Sequence, residues 1–214
     1  MTPQLVLSLA MESIERVEAD VAIVTFFCDD RPLRGSASRV DWRLCGRLSR
    51  LLRAERFAGD PGEAALFPTR GGLRAPMLIA AGLGPRRAFD GARCRSAARE
   101  AVDRALKLRA GALVLALLEA GSEAMDLGAR MQGLLRGALS APAMGPIAGS
   151  GGLALRLVAA PEERPAVLEW LRSNQQQGFP TGVAAELPSA PQLRREDSPR
   201  GAERPSQPIR PLVK

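Results

Sequence analysis

Apolar positions fall along the chain in two alternating patterns. Short runs of strand length (Gln4 to Leu9, Val21 to Phe27, Glu63 to Pro68, Met77 to Ala81, Ala112 to Leu118, Leu153 to Ala159) are separated by longer stretches with helical spacing. Between the first two runs the acidic segment MESIERVEAD has room for one or two helical turns, which predicts either a β-α-β unit or a loose hairpin. From Asp41, read as the cap of the next helix, Leu44, Cys45, Leu48, Leu51 and Leu52 form one buried stripe. The segment Arg34 to Ser38 before it reads as a loop. Gly59, Pro61 and Gly62 stop the helix, and a strand pair turns at Arg70, Gly71 and Gly72.

The runs at Met77 and Ala112 are apolar at nearly every position, which suits strands covered on both faces. A helix from Ala92 to Leu108 carries a small-residue stripe of Cys94, Ala98, Ala101, Ala105 and Leu108. Further helices are predicted over Ser122 to Leu139 and Pro161 to Arg172, with a connector from Ser140 to Gly152. Repeated strand-helix alternation predicts an α/β fold with a mixed sheet flanked by helices. Beyond Ser173 periodicity disappears among Pro, Ser, Gly and mixed charges, so the expected organisation is a domain over residues 1–172 and a disordered tail over 173–214.

Composition limits the chemistry. The 214 residues are 46% apolar but 4% aromatic, so the core must be built from Leu, Ala and Val. With no histidine, His-containing triads and His-ligated zinc are excluded. Cys28, Cys45 and Cys94 show no paired spacing, and two lie on apolar helix faces, which predicts buried reduced thiols and a cytoplasmic location. No run approaches membrane-span length, so no membrane partner is expected.

The formal charge of +7 raises nucleic acid as a partner, yet an arginine bias of this kind can also come from base composition. Arg43, Arg47 and Arg50 recur on one helix face as a possible basic surface, extended by Arg86, Arg87, Arg93 and Arg95; a solvated face is the preferred reading. Gly82 and Gly84 flank a strand-to-helix turn that could cradle a phosphate, with Asp29 to Gly35 as a second loop. Without a third glycine a tight turn is preferred. Asp29-Asp30 reads as a solvated turn, and Glu63 lacks a second acid for acid/base work. Composition and spacing point to no catalytic residue, metal ligand or cofactor.

The series VDWRLCGRLSRLL, F-A-G-D-P-G-E, ALFPTRG and APMLIAAGLGP, followed by an Ala-rich helix and later by LALRLVAA and PEERPAVLEWL, resembles the amino-terminal domain of the leucyl aminopeptidase family. The resemblance covers about Leu5 to Arg172 and implies a three-layer, macrodomain-like sandwich. In that family the metals are held in a carboxy-terminal domain marked by N-T-D-A-E-G-R and two lysines. No such signature occurs here, and the two lysines are Lys107, within a predicted helix, and Lys214. The expectation is a non-catalytic, stand-alone relative acting in protein association or regulation, as a homo-oligomer or with a full-length aminopeptidase. Alternative expectations are a module for an ADP-ribose-like small molecule, implied by the macrodomain likeness, and DNA binding through the Arg ridge.

Overall fold

The two runs that are apolar at almost every position lie inside a sheet, away from its edges, where helices cover both faces. The computed structural model describes residues 4–116, 125–149 and 152–188. Its strands are β1 (Leu5–Leu9), β2 (Val21–Phe26), β3 (Ala64–Pro68), β4 (Met77–Gly82), β5 (Ala112–Ala116), β6 (Leu153–Leu157) and β7 (Val183–Glu186). They form one sheet in the order β3-β4-β2-β5-β6-β1-β7. All neighbours are parallel except β3, which runs antiparallel to β4 at one edge. Ile23 of β2 is in register with Ile79 on one side and Leu115 on the other.

The helices are α1 (Gly35–Arg43), α2 (Arg47–Arg53), α3 (Gly91–Lys107), α4 (Leu127–Leu139) and α5 (Arg164–Gln177). On one face Leu7, Ile23, Ile79 and Leu113 pack with Cys94, Ala98 and Ala101 of α3, Leu134 of α4 and Leu168 of α5. On the other, Val24, Phe26, Leu78 and Val114 pack with Val40, Leu44 and Leu48 of the α1–α2 segment. The result is the predicted α/β sandwich of three layers. Asp90 and Asp126 cap α3 and α4 by accepting the N–H of Arg93 and Ala129.

Several expectations change. β1 and β2 are neither a hairpin nor neighbours, since β5 and β6 lie between them. Their parallel pairing is set by distant partners that local patterning does not carry. The single helix expected from Asp41 is two helices: Cys45 (φ 53) and Gly46 (φ 74) take left-handed backbone between them, and the expected loop Arg34 to Ser38 is largely the start of α1. Asp41 lies near the end of α1 and caps α2 instead. Leu108 leaves its stripe, because α3 stops at Lys107 and the chain turns away through Arg109 (φ 62). The domain extends past Arg172, with α5 running to Gln177 and β7 joining β1 in parallel over Val183–Glu186. Residues 117–118 of the strand, 122–124 of the helix, 150–151 of the connector and 189–214 of the tail lie outside the described residues.

Candidate functional site

Because the strands from β4 to β7 are parallel, the loops following them collect at one edge of the sheet, the place where open α/β sheets bind ligands. Both loops singled out in the sequence meet there. The exit from β4 is closed by the chain itself. The N–H of Gly82 bonds to Glu63 O, that of Leu83 to Phe26 O, and that of Gly84 to Gly59 O, while Gly84 O accepts from Cys28. The N–H of Arg86 points at the Asp29 carboxylate, 3.1 and 3.2 Å from its two oxygens. Pro85 has no N–H, so every backbone donor from Gly82 to Arg86 is taken. A Cβ at Gly82 would lie 2.2 Å from the Gly59 carbonyl carbon, and one at Gly84 (φ +74) would lie 2.7 Å from Pro61. These glycines admit a neighbouring loop of the same chain.

The Asp29-Asp30 pair is not the solvated turn expected. Asp30 is 7% exposed, with the Arg86 guanidinium 2.7 Å away and Arg34 at 3.9 Å. The Arg86 guanidinium also stacks 4.4 Å over the Phe27 ring. This pairing holds the loop after β2 to the loop after β4. Glu63 has a related structural role. One carboxylate oxygen accepts the N–H of Ala58, Gly59 and Asp60 at 2.9, 2.8 and 3.1 Å. Those bonds, the one from Asp60 foremost, hold its pKa below the ordinary value of 4.5. Beside this loop and α3 lies a cleft of about 450 Å³, reached by Arg93, Glu100 and Arg104.

The three ridge arginines do not lie on one helix. Arg43 ends α1 with its guanidinium 5.5 Å over the Trp42 ring, while Arg47 and Arg50 belong to α2. Arg47 lies 5.6 Å over Phe67, and Arg50 donates to Cys45 O at 2.9 Å. Asp41, 8% exposed, accepts from the N–H of Leu48 (2.8 Å) and Ser49 (3.1 Å) and from the Ser49 hydroxyl.

Of the three thiols Cys94 alone is fully buried, and burial pushes its pKa up to about 11. Cys28 is half-buried, its pKa raised by desolvation and by Asp29 and Asp60. Cys45, expected in the core, is exposed at the break between α1 and α2. Among the described residues no three His, Cys, Asp or Glu side chains are grouped to hold a metal ion, and no helix is long and apolar enough to cross a membrane.

The model of the cytosol aminopeptidase family N-terminal domain matches residues 23–141. The chain belongs to this family. The matched part of the cytosol aminopeptidase N-terminal domain runs from β2 through α4. A probable cytosol aminopeptidase of Streptomyces coelicolor is 36% identical over 104 residues, 49% of this chain and 20% of that protein. One from Sulfurihydrogenibium is 23% identical over 109 residues, 51% of this chain and 22% of that protein. The match thus spans about a fifth of these relatives' length.

Among solved structures, the macro domain of ganglioside induced differentiation associated protein 2 superposes with a TM-score of 0.61 at 14% identity, covering 79% of this chain and 83% of that one. A Trypanosoma brucei macrodomain in complex with ADP-ribose gives 0.56 at 16%, covering 76% and 66%. Tomato leucine aminopeptidase gives 0.52 at 15%, covering 82% of this chain and 37% of that one. The cytosol aminopeptidase N-terminal domain here therefore has the macrodomain-like fold that its sequence resemblance implies.

Sequence reasoning missed two features at these sites. The Asp30–Arg86 pair joins residues far apart in the chain, and no local signal marks it. Trp42 is 75% exposed, the most exposed large apolar side chain among the described residues. Arg130 on α4 and Glu163 just before α5 also pair at long range, in a part-buried bidentate contact of the guanidinium with the carboxylate.

Proposed function

We propose that this chain works in the cytoplasm by protein association, as a relative of the cytosol aminopeptidase N-terminal domain with no peptidase chemistry of its own. The observation that carries this reading is the filled strand-end turn. Recognition of a diphosphate at a strand-to-helix turn depends on unbonded backbone N–H groups. Here each donor from Gly82 to Arg86 already bonds to the chain's own oxygens, and the Asp29 carboxylate occupies the position an anion would take at Arg86 N–H. Gly82 and Gly84 are on this reading parts of a loop clamp, not ligand contacts. The family match adds support, because it falls on the N-terminal domain alone.

The partners that fit are a second copy of the chain or a full-length aminopeptidase. The rival reading, a module for an ADP-ribose-like molecule, has the fold in its favour. Two assays test the proposal. With added manganese or zinc the purified chain is expected to leave leucyl p-nitroanilide intact, and turnover abolished by a chelator would overturn the proposal. Calorimetry with millimolar ADP-ribose is expected to give no binding heat; a saturable isotherm would favour the rival.

A further inference from the structure

Positive charge is densest between residues 31 and 56. Eight of its 30 basic and two of its 23 acidic side chains fall within residues 31–56, which leaves 22 basic against 21 acidic over all the rest. Of the two acids in the segment, Asp41 is buried under the α2 N-terminus, so Glu55 is the exposed one. Arg43, Arg47, Arg50, Arg53 and Arg56 have no ion-pair partner among the described residues.

Trp42 stands beside Arg43 on a firmly held segment. Gly46 N–H bonds to Asp41 O, Cys45 N–H to Trp42 O, and the Asp41 side chain locks the next helix to the first. Beside the indole is a hollow of about 660 Å³ lined by Ser38, Asp41, Trp42, Arg43, Cys45 and Gly46. An exposed tryptophan with an arginine guanidinium 5.5 Å over its ring pairs the two residue types most enriched where binding energy concentrates at protein interfaces.

We propose that the α1–α2 face, centred on Trp42, is a docking surface for an acidic protein segment that places an apolar side chain against the indole. The inference rests on the association reading and names its surface. Charge complementarity selects the partner class. The acidic cluster near β1 and β2 is no match on another copy of this chain: Glu12, Glu18 and Asp20 are exposed but interleaved with Arg16 and Arg74, and Arg74 pairs with Glu18 at 3.5 Å. Nucleic acid fits less well than protein. Platforms for single strands present successive aromatic rings, whereas this face has one. The arginine row is also broken at Cys45–Gly46, and Arg47 and Arg50 each bond to backbone carbonyls, of Pro68 and Cys45.

The probe is a fluorescent glutamate-rich peptide with a single central leucine, titrated with the full chain. Saturable binding is expected, weakened by Trp42→Ala by about tenfold or more and abolished by the double change Arg43→Glu with Arg50→Glu. Both changes are at exposed positions, and circular dichroism checks that the variants fold. In the wild type, bound peptide should protect Cys45 from alkylation while leaving Cys28 unaffected.

The proposal is overturned if a serine in place of the leucine leaves affinity and Trp42 dependence unchanged, since the face is then a general cation patch. It is equally overturned if no peptide binds. Tighter binding of oligo-dT with quenching of Trp42 would assign the face to nucleic acid, and concentration-dependent self-association abolished by Trp42→Ala would assign it to a second copy. Chelator-sensitive hydrolysis would remove the association reading itself. Capture of an aminopeptidase that survives Trp42→Ala would instead leave that reading standing and remove this surface alone.

Discussion

Truncating Asp41 to alanine tests the element on which both the fold of the α1–α2 segment and the presentation of Trp42 depend. The carboxylate serves three donors, the N–H of Leu48 and Ser49 and the Ser49 hydroxyl. Its loss removes a helix cap worth about 1 kcal/mol. Leaving buried donors unpaired adds about 1–3 kcal/mol, offset in part by water reaching Ser49. The α2 helix has seven residues, too few to hold its own first turn without that cap. The expected destabilisation is about 2–3 kcal/mol for Asp41→Ala and about 1 kcal/mol for Asp41→Asn, which keeps one acceptor oxygen. Urea unfolding at neutral pH, followed by far-ultraviolet circular dichroism, reads this as a lower midpoint at unchanged slope. A change below about 0.5 kcal/mol for Asp41→Ala would refute the capping role, since it is what an ordinary surface position gives.

The remaining expectations concern the strand-end loops and the thiols. Gly82→Ala should destabilise by about 3 kcal/mol or prevent folding, because its methyl would meet the Gly59 and Asp60 backbone at 2.2–2.4 Å. Gly46→Ala, with nothing within 4 Å, should lose only about 1 kcal/mol for its left-handed backbone; equal losses in thermal melts would contradict the loop clamp. Since the Glu63 pKa lies below 4.5, the unfolded chain takes up the proton first. Glu63 therefore stabilises fully above that range and progressively less as pH falls through it. Glu63→Gln should flatten the acid limb of the stability profile, and an unchanged limb would contradict the account. Alkylation at mildly alkaline pH, mapped by mass spectrometry, should modify Cys45 first, Cys28 more slowly and Cys94 only on unfolding, because burial holds the Cys94 thiol near 11. Modification of native Cys94 at the Cys45 rate would count against this packing.

The legible parts of the fold were those that short stretches encode. The continuous apolar runs at Met77 and Ala112 do lie inside the sheet with both faces covered, and the Ala-rich stripe of α3 does pack on it. What escaped depended on distant partners or on backbone that sequence marks weakly. Gly46 was the one cue to the break between α1 and α2, but the leucine spacing runs straight through it. The strand β7 is four residues, VAAE, and owes its place to pairing with β1. At the candidate site, Gly82 and Gly84 were recognisable as turn glycines. That the turn is filled by Gly59, Pro61 and Asp29 depends on two separate upstream loops, the farther one 57 residues away, which local patterning does not connect. The localisation of charge around Trp42 could be counted from the sequence, but the exposure of the ring needed the fold.

The association reading is tested most directly by immobilising the intact chain, passing native cytosol from the same cells over it at moderate salt, and identifying bound proteins by mass spectrometry with chelator-treated and untreated fractions compared. The account predicts that a full-length cytosol aminopeptidase is retained stoichiometrically, and that the immobilised chain alone hydrolyses no leucyl substrate. Failure to retain the aminopeptidase, together with metal-dependent hydrolysis by the chain alone, would contradict it.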